Sequence, residues 1–280
     1  MTNTTIRPME ISDIDFAQEM TSGEGWNNPP EDLKRLLALN PDGCFMACRG
    51  IDPIGMIFSI VYDDFAFLGD LIIKPGFRGR GIGTILLKHL ISHLQNKGIR
   101  AIELDGVFEA LPLYRRLGFK DKYLSLRLKR LPDPVNADNA IIGQSCKLTE
   151  ILNFDKECTG LMRSTLIRRM FEDYPGCIVN KNDENRIDCY GIVKPRTNDT
   201  SAIGPLVSLS PDAAATVLDT IIAHNNHKVL LAGIPEINPT TIDMFLSRGF
   251  VHIQPSLRMY LGQKRNYEEY VYAITSADMG

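Results

Sequence analysis

Residues 84–97 place Leu87, Leu90, Ile91 and Leu94 at the i, i+3, i+4, i+7 spacing of a helix with one apolar face, and Gly98 ends the pattern. The stretch before it, Phe67 to Lys74, is short and apolar and reads as a strand. Between strand and helix lies a loop with glycines at 79, 81 and 83. Ala101 to Leu104 gives a further short strand, and Leu111 to Leu117 a short helix. Later in the chain, Asp212–His224 repeats the helical spacing and Lys228–Ala232 the strand. Strands alternating with helices predict an α/β protein.

The second half echoes the first. Asn40-Pro41-Asp42-Gly43-Cys44-Phe45 returns as Asp173-Tyr174-Pro175-Gly176-Cys177-Ile178. Leu68-Gly69-Asp70-Leu71-Ile72 returns as Ile203-Gly204-Pro205-Leu206-Val207, and Leu113–Phe119 as Met244–Phe250. From Gly69 to Gly118 is 49 positions, and from Gly204 to Gly249 is 45. Three echoes in one order indicate a duplication. The polar, proline-containing stretch from Lys129 to Asn139 reads as a connection. The expected division is a domain at 1–130, a linker at 131–142 and a second domain at 143–280.

Composition narrows the class. The 280 residues are 44% hydrophobic and 23% charged, an ordinary globular balance, and the net charge of −3 gives no footprint for nucleic acid. No run of 18 apolar residues suggests a membrane span, and Met1 to Thr5 lacks a basic-then-apolar signal. Six cysteines without a C-x-x-C pair read as reduced thiols, so a cytoplasmic location is expected. His89 and His93 are four apart on the predicted helix, but no third ligand accompanies them, and no metal site is expected.

The glycine loop carries the chemistry. A helix N-terminus after such a loop presents unbonded backbone N–H groups and partial positive charge, which attract phosphate. Glycine lets the backbone approach the ligand closely. Two familiar loops fail on their letters. No Lys follows Gly83 as a P-loop needs, and the third glycine of G-x-G-x-x-G falls on Thr84 or Leu86. Arg78 and Arg80 oppose the helix dipole unless an anion is bound beside them. In the second half the corresponding stretch, Ser208-Leu209-Ser210-Pro211-Asp212, has neither glycine nor arginine. Its Asp212 would repel phosphate.

Arg78-Gly79-Arg80-Gly81-Ile82-Gly83 matches the pattern R/Q-x-x-G-x-G/A, Leu113–Phe119 ends in Tyr-x-x-x-Gly-Phe, and Ile6-Arg7-Pro8-Met9 with Asp13 fits an opening strand and turn. Over residues 4–130 the chain therefore resembles the GNAT family of N-acetyltransferases. The second half resembles a degenerate GNAT domain, and Arg258–Gly262 is similar to the C-terminal domain of a tandem bacterial and archaeal group. The resemblance implies two GNAT-like domains in tandem, each a mixed, mostly antiparallel sheet flanked by helices. It implies acetyl-coenzyme A as co-substrate, with no metal. Backbone groups of Leu71, Ile72 and Ile73 would meet the pantetheine arm, and Arg78, Gly79, Arg80, Gly81, Ile82, Gly83 and Thr84 would surround the pyrophosphate.

The implied reaction is acyl transfer from a thioester to an amine, either of a small molecule or of an amino-acid-like metabolite. An alkylamine with a pKa near 10.4 must lose a proton before it attacks, so a base is needed, and an acid serves the departing thiolate. The resemblance makes Tyr114 the acid. It puts the family's frequent base, a Glu on the fourth strand, at what is here Gly69. Asp70 and Asp105 are then the candidate bases, ahead of Glu24 and Glu109. The family's Asn before the last helix is Val107 here. Trp26 and Asn27, in a Gly/Pro/Asn loop, are candidates for the acceptor pocket. The second half would close that pocket or mediate homodimerisation. Two other readings stay open: protein or peptide N-acetylation, and a non-catalytic module that senses acyl-coenzyme A.

Overall fold

A computed structural model describes residues 4–26, 28–133, 146–174, 177–182, 184–197 and 199–280. The first half runs β1 (Thr4–Pro8), α1 (Ile14–Gly23), α2 (Pro30–Leu39), β2 (Phe45–Arg49), β3 (Asp52–Tyr62), β4 (Phe65–Ile73), α3 (Ile82–Asn96), β5 (Ala101–Gly106), α4 (Leu111–Arg116) and β6 (Lys120–Arg130). The second runs α5 (Leu148–Thr159), α6 (Ser164–Asp173), β7 (Ile178–Lys181), β8 (Ile187–Pro195), β9 (Thr200–Ser208), α7 (Pro211–His224), β10 (Val229–Pro235), α8 (Pro239–Leu246), β11 (Val251–Gly262) and β12 (Val271–Ala273). Of the expected linker, only Leu131–Asp133 lie among the described residues, and so do not Pro175 and Gly176 of the first echo.

The elements follow the local chemistry. Leu87, Leu90, Ile91 and Leu94 are all buried on α3, and Gly98 takes φ 84° just beyond its end, a left-handed stop. In α7 the Ser210 hydroxyl accepts the Ala213 N–H at 3.2 Å, a side-chain N-cap. Strands β7 and β8 pair antiparallel, from Ile178↔Gly191 to Lys181↔Ile187.

The chain forms two units. Unit 1 comprises Met1–Asp121, Met259–Lys264 and Asp278–Gly280; unit 2 comprises Lys122–Arg258 and Arg265–Ala277. In unit 1 the strand order is β1-β2-β3-β4-β5, followed by the end of β11. There β1 with β2, β2 with β3 and β3 with β4 pair antiparallel, and β4 with β5 pairs parallel. In unit 2 the order is β11-β6-β10-β9-β8-β7, with β12 on β9. There β9 and β10 are the parallel pair. Each unit thus takes its last strand from the other half of the sequence: β6 follows α4 yet pairs with β10, and the end of β11 completes the sheet beside β5. The unit 2 core packs Val217, Leu218 and Ile221 of α7 and Phe245 of α8 against Leu206, Leu230 and Ile234 of its strands.

Candidate active site

The site in unit 1 begins where two parallel strands part. The β4–β5 ladder runs from Phe65↔Ala101 to Leu68↔Leu104 and stops, although β4 continues to Ile73 and β5 to Gly106. Beyond Leu68 the two strands border a gap. At the same point β4 bulges on its other edge. Phe58 pairs with Gly69 and Met56 with Ile72, so Ile57 faces both Asp70 and Leu71. Asp70 takes φ 50°, a left-handed conformation that reorients its side chain. Its buried carboxylate lies 3.5 Å from Asn28 Nδ2, also buried.

The glycine loop delivers α3 to this gap. Gly79 and Gly81 have φ 74° and 79°, and open space surrounds the position of a Cβ at either. What requires glycine here is the left-handed backbone. Gly81 caps α3, and Ile85 N–H is the first to bond a helical carbonyl, Gly81 O, at 3.1 Å. The N–H groups of Ile82, Gly83 and Thr84 therefore emerge from the first turn as donors for an anion. Arg80 lies over the Phe77 ring, 5.5 Å from its centroid, with Arg49 at 5.1 Å. Arg78 is occupied otherwise: its Nε donates to Ile73 O at 2.8 Å and its guanidinium pairs with Glu24. It ties the loop to β4 and to the end of α1. Glu24, a minor candidate base, is thereby part of the loop's anchoring.

Tyr114 enters from one face of the sheet. Its ring lies 3.0 Å from where a Cβ on Gly106 would be, so the ring packs close over β5 there. It meets Phe119 edge-on at 5.9 Å, and Phe119 N–H closes the turn on Tyr114 O at 3.1 Å. Burial disfavours the phenolate and pushes the Tyr114 hydroxyl up to about 12, so it keeps its proton at neutral pH. An unfolded tyrosine releases that proton near 10. The stability linked to this group is therefore intact below pH 10 and is lost as pH rises toward 12, by about 3 kcal/mol in all. A Tyr114→Phe variant is expected to gain on the parent across that window in alkaline unfolding followed by circular dichroism.

The opposite face carries carboxylates. Phe67 pairs with Glu103 across the parallel ladder, and alternation carries that face on to Gly69 and to Asp105. Gly106 and Tyr114 belong to the other face. Residues 278–280 also lie in unit 1 on the Phe67–Gly69 face. The Tyr62 hydroxyl donates to Met279 O at 2.7 Å, Gly280 packs against Phe67, and the Cβ of Asp278 lies 2.7 Å from where a Cβ on Gly69 would be.

Unit 2 has the same parting of strands with a different content. The β9–β10 ladder stops at Ile203↔Ala232, at the echo of Leu68. There β12 pairs with β9 through Val271↔Val207 and Ala273↔Leu206, and Ile274 N–H donates to Gly233 O on β10 at 2.9 Å. The gap is filled by the chain itself. Phe245 and Phe250 repeat the edge-on ring pair at 5.0 Å, without a hydroxyl.

Leu71 to Ile73, the glycine loop and Tyr114 thus come together, with Asp105 on the far face and Asp70 turned to Asn28. Trp26 is 36% exposed, and Asn27 lies outside the described residues. His89 and His93 stand edge-on to Phe45 at 4.6 and 5.2 Å, an aromatic cluster on the side of α3. Among the described residues no group of His, Cys, Asp and Glu could hold a metal ion, and no helix is long and apolar enough to cross a membrane. The sequence reading missed Asn28 and Asp278; both carry polar side chains whose only distinction is the long-range partner the fold gives them.

A family model described as "Acetyltransferase (GNAT) family" matches residues 11–119, and one described as "Acetyltransferase (GNAT) domain" matches residues 151–273. The chain belongs to the GNAT family of acetyltransferases. It is an acyltransferase with two GNAT domains in tandem. Holothin acyltransferase from Pseudoalteromonas sp. is 26% identical over 99% of this chain and 94% of its own length. An N-acetyltransferase from Methanocaldococcus jannaschii is 33% identical over 32% of this chain and 44% of its own. Among solved structures, a putative acetyltransferase from Pyrococcus horikoshii superposes with a TM-score of 0.83 at 22% identity, covering 100% of this chain and 97% of its own. A tandem GNAT protein from the clavulanic acid biosynthesis pathway gives 0.66 at 14%, covering 94% and 100%.

Proposed function

We propose that unit 1 transfers an acetyl group from acetyl-coenzyme A to the amine of a small molecule or amino-acid-like metabolite, and that unit 2 is a GNAT domain without a coenzyme site. The observation that supports this most is the contrast between the two strand gaps. In unit 1 the gap at Leu68/Leu104 adjoins a helix start with emergent N–H donors and left-handed glycines. In unit 2 the matching gap holds β12, and the helix start carries Asp212.

The residues of unit 1 fit the co-substrate. An extended amide-bearing arm can pair with the β4 edge at Leu71 to Ile73 much as a strand would. A pyrophosphate suits the donors of Ile82, Gly83 and Thr84, with Arg80 adding charge. When bound, acetyl-coenzyme A supplies the activated acyl group. The chain's own part is to orient the amine, to remove its proton, and to hold a proton on the Tyr114 hydroxyl for the departing sulfur. Asp70, with Asn28 beside it, would help shape the amine's surroundings, as would Trp26. Asp105 is a further carboxylate on the face opposite Tyr114.

The relative that spans the whole chain is named for holothin, whereas relatives named for ribosomal-protein alanine acetylation align with only 31% of this chain. That favours a non-protein acceptor for the tandem arrangement. The test is a free-thiol assay at constant acetyl-coenzyme A across a panel of amines and peptides. Release with small amines supports the reading; release with peptides alone overturns the acceptor class, and release with none overturns the enzyme. Gly81→Asp should separate the coenzyme site from the rest. An Asp tolerates the left-handed backbone better than most residues, and the space around Gly81 is open, so the fold should persist. The added carboxylate at the anion site should weaken acetyl-coenzyme A binding at least ~10-fold by calorimetry.

A further inference from the structure

Gly69 follows Leu68, the last rung of the β4–β5 ladder, and stands next to the bulge at the mouth of the gap. It has no side chain, yet its side-chain position is not open. The Cβ of Asp278 lies 2.7 Å from where a Gly69 Cβ would be, and the Asp278 Cα lies 2.8 Å from it. Any residue but glycine would collide there with backbone that cannot move aside as a flexible side chain could. A carboxylate from the far end of the sequence therefore takes the place that a β4 side chain would have. Asp278 is buried, and its neighbour Met279 accepts the Tyr62 hydroxyl at 2.7 Å, so the backbone there is held in place.

The faces give this position a meaning. The Tyr114 ring packs on the Gly106 side of the sheet, and Gly69, Asp105 and Asp278 belong to the other side. Acyl transfer needs proton donation at the departing sulfur and proton acceptance at the attacking nitrogen, and these two atoms are separate substituents of the tetrahedral carbon, so donor and acceptor approach from different directions. An acid on one face and a carboxylate on the other match that requirement. The titratable groups on the carboxylate's side are Asp105 and Glu103 of β5 and Tyr62 of β3, with Asp70 beyond the bulge on β4. Of these, Asp70 is engaged with Asn28. Asp278 stands on Gly69, just past the last rung of the ladder.

We infer that Asp278 is the catalytic proton acceptor of unit 1, in place of a β4 carboxylate. This rests on the acetyl-transfer reading above. The Asp278 carboxylate takes the proton that turns the alkylammonium into the attacking amine. As the C–N bond forms and the thioester's C–S bond breaks, the nitrogen sheds its second proton to water and Tyr114 delivers its own to sulfur, to be replaced from solvent. The products are the amide and the free thiol, and solvent returns Asp278 and Tyr114 to their starting states with one net proton released.

The test uses the full chain. Parent activity with the amine panel comes first; a parent without turnover on any amine sinks the acetyl-transfer reading, whatever Asp278 does. With an active parent, Asp278→Asn is expected to lower kcat by 10²- to 10³-fold for an alkylamine acceptor, with acetyl-coenzyme A affinity unchanged by calorimetry. An acceptor whose amine is already neutral at pH 7, such as hydroxylamine, should lose less than 10-fold, because it has no proton to surrender before attack. Calorimetry without acetyl-coenzyme A supplies a readout independent of turnover: the alkylammonium acceptor should bind Asp278→Asn about 10-fold more weakly. Asp278→Glu should recover part of the kcat. If kcat stays within twofold, the inference fails. It fails also if both amine classes lose equally, which marks a packing role, or if Asp105→Asn shows the amine-selective loss while Asp278→Asn does not.

Discussion

Tyr114→Phe should lower kcat for acetyl transfer by roughly 10²-fold while leaving acetyl-coenzyme A affinity and thermal stability near the parent's. The variant removes one oxygen from a buried ring whose hydroxyl is kept protonated by burial, so what it removes is a proton donor. The molecule carries its own control for the packing. In unit 2 Phe245 occupies the same turn, meets Phe250 edge-on at 5.0 Å and has Phe250 N–H closing on its carbonyl at 3.3 Å. The turn thus forms equally well around a phenylalanine. A loss confined to kcat assigns the hydroxyl to the chemical step. A thioester with a more acidic thiol should narrow the gap between parent and variant, because such a thiol leaves without protonation. If kcat is unchanged, or if the loss persists undiminished with the activated thioester, Tyr114 is not the acid.

Local features of the site were legible in the sequence, and long-range ones were not. The periodicity at Leu87, Leu90, Ile91 and Leu94 predicted α3, and Gly98 its end, because both depend only on neighbours along the chain. The Leu-Gly and Ile-Gly echoes marked Leu68 and Ile203, and the structure places both at the last rung of a parallel ladder. Strand partners are another matter. Alternation in β6 or β11 says which face is buried and not which strand lies alongside, so the exchange of last strands between the halves left no trace. The same limit hid Asp278. Nothing at 278 distinguishes that aspartate, and Gly69 looked like the loss of a base when it is the space another residue needs. The role of Arg78 was half visible. Its charge beside a helix start pointed to an anion, while its bonds to Ile73 O and Glu24 depend on where α1 ends.

Asp155→Ala should destabilise the fold by about 3–5 kcal/mol, measured by urea unfolding, because it strands a buried guanidinium. The Asp155 carboxylate accepts Arg163 Nε at 2.9 Å, Arg163 Nη2 at 2.8 Å and the Tyr190 hydroxyl at 2.6 Å, and the residues are buried. Arg163 Nη1 also donates to Thr275 Oγ1 at 3.2 Å, and the buried Lys194 ammonium donates to Thr275 O. These charges hold the chain that leaves β12 inside unit 2, so the polar network and the filled gap belong to one arrangement. Charge burial by itself is not the source of stability. Water solvates separate ions well, and a buried pair recovers that cost only when every bond is made. Two further variants separate the parts. Asp155→Asn keeps the shape and one acceptor, so it should cost less than the alanine. Asp155→Leu combined with Arg163→Met removes both charges, and it should recover a large share of what Asp155→Ala loses. If the double variant is as unstable as the sum of its singles, the two residues are not coupled and the cluster is not one network. If Asp155→Ala unfolds at the parent's urea midpoint, the guanidinium finds other partners and the network does not hold β12.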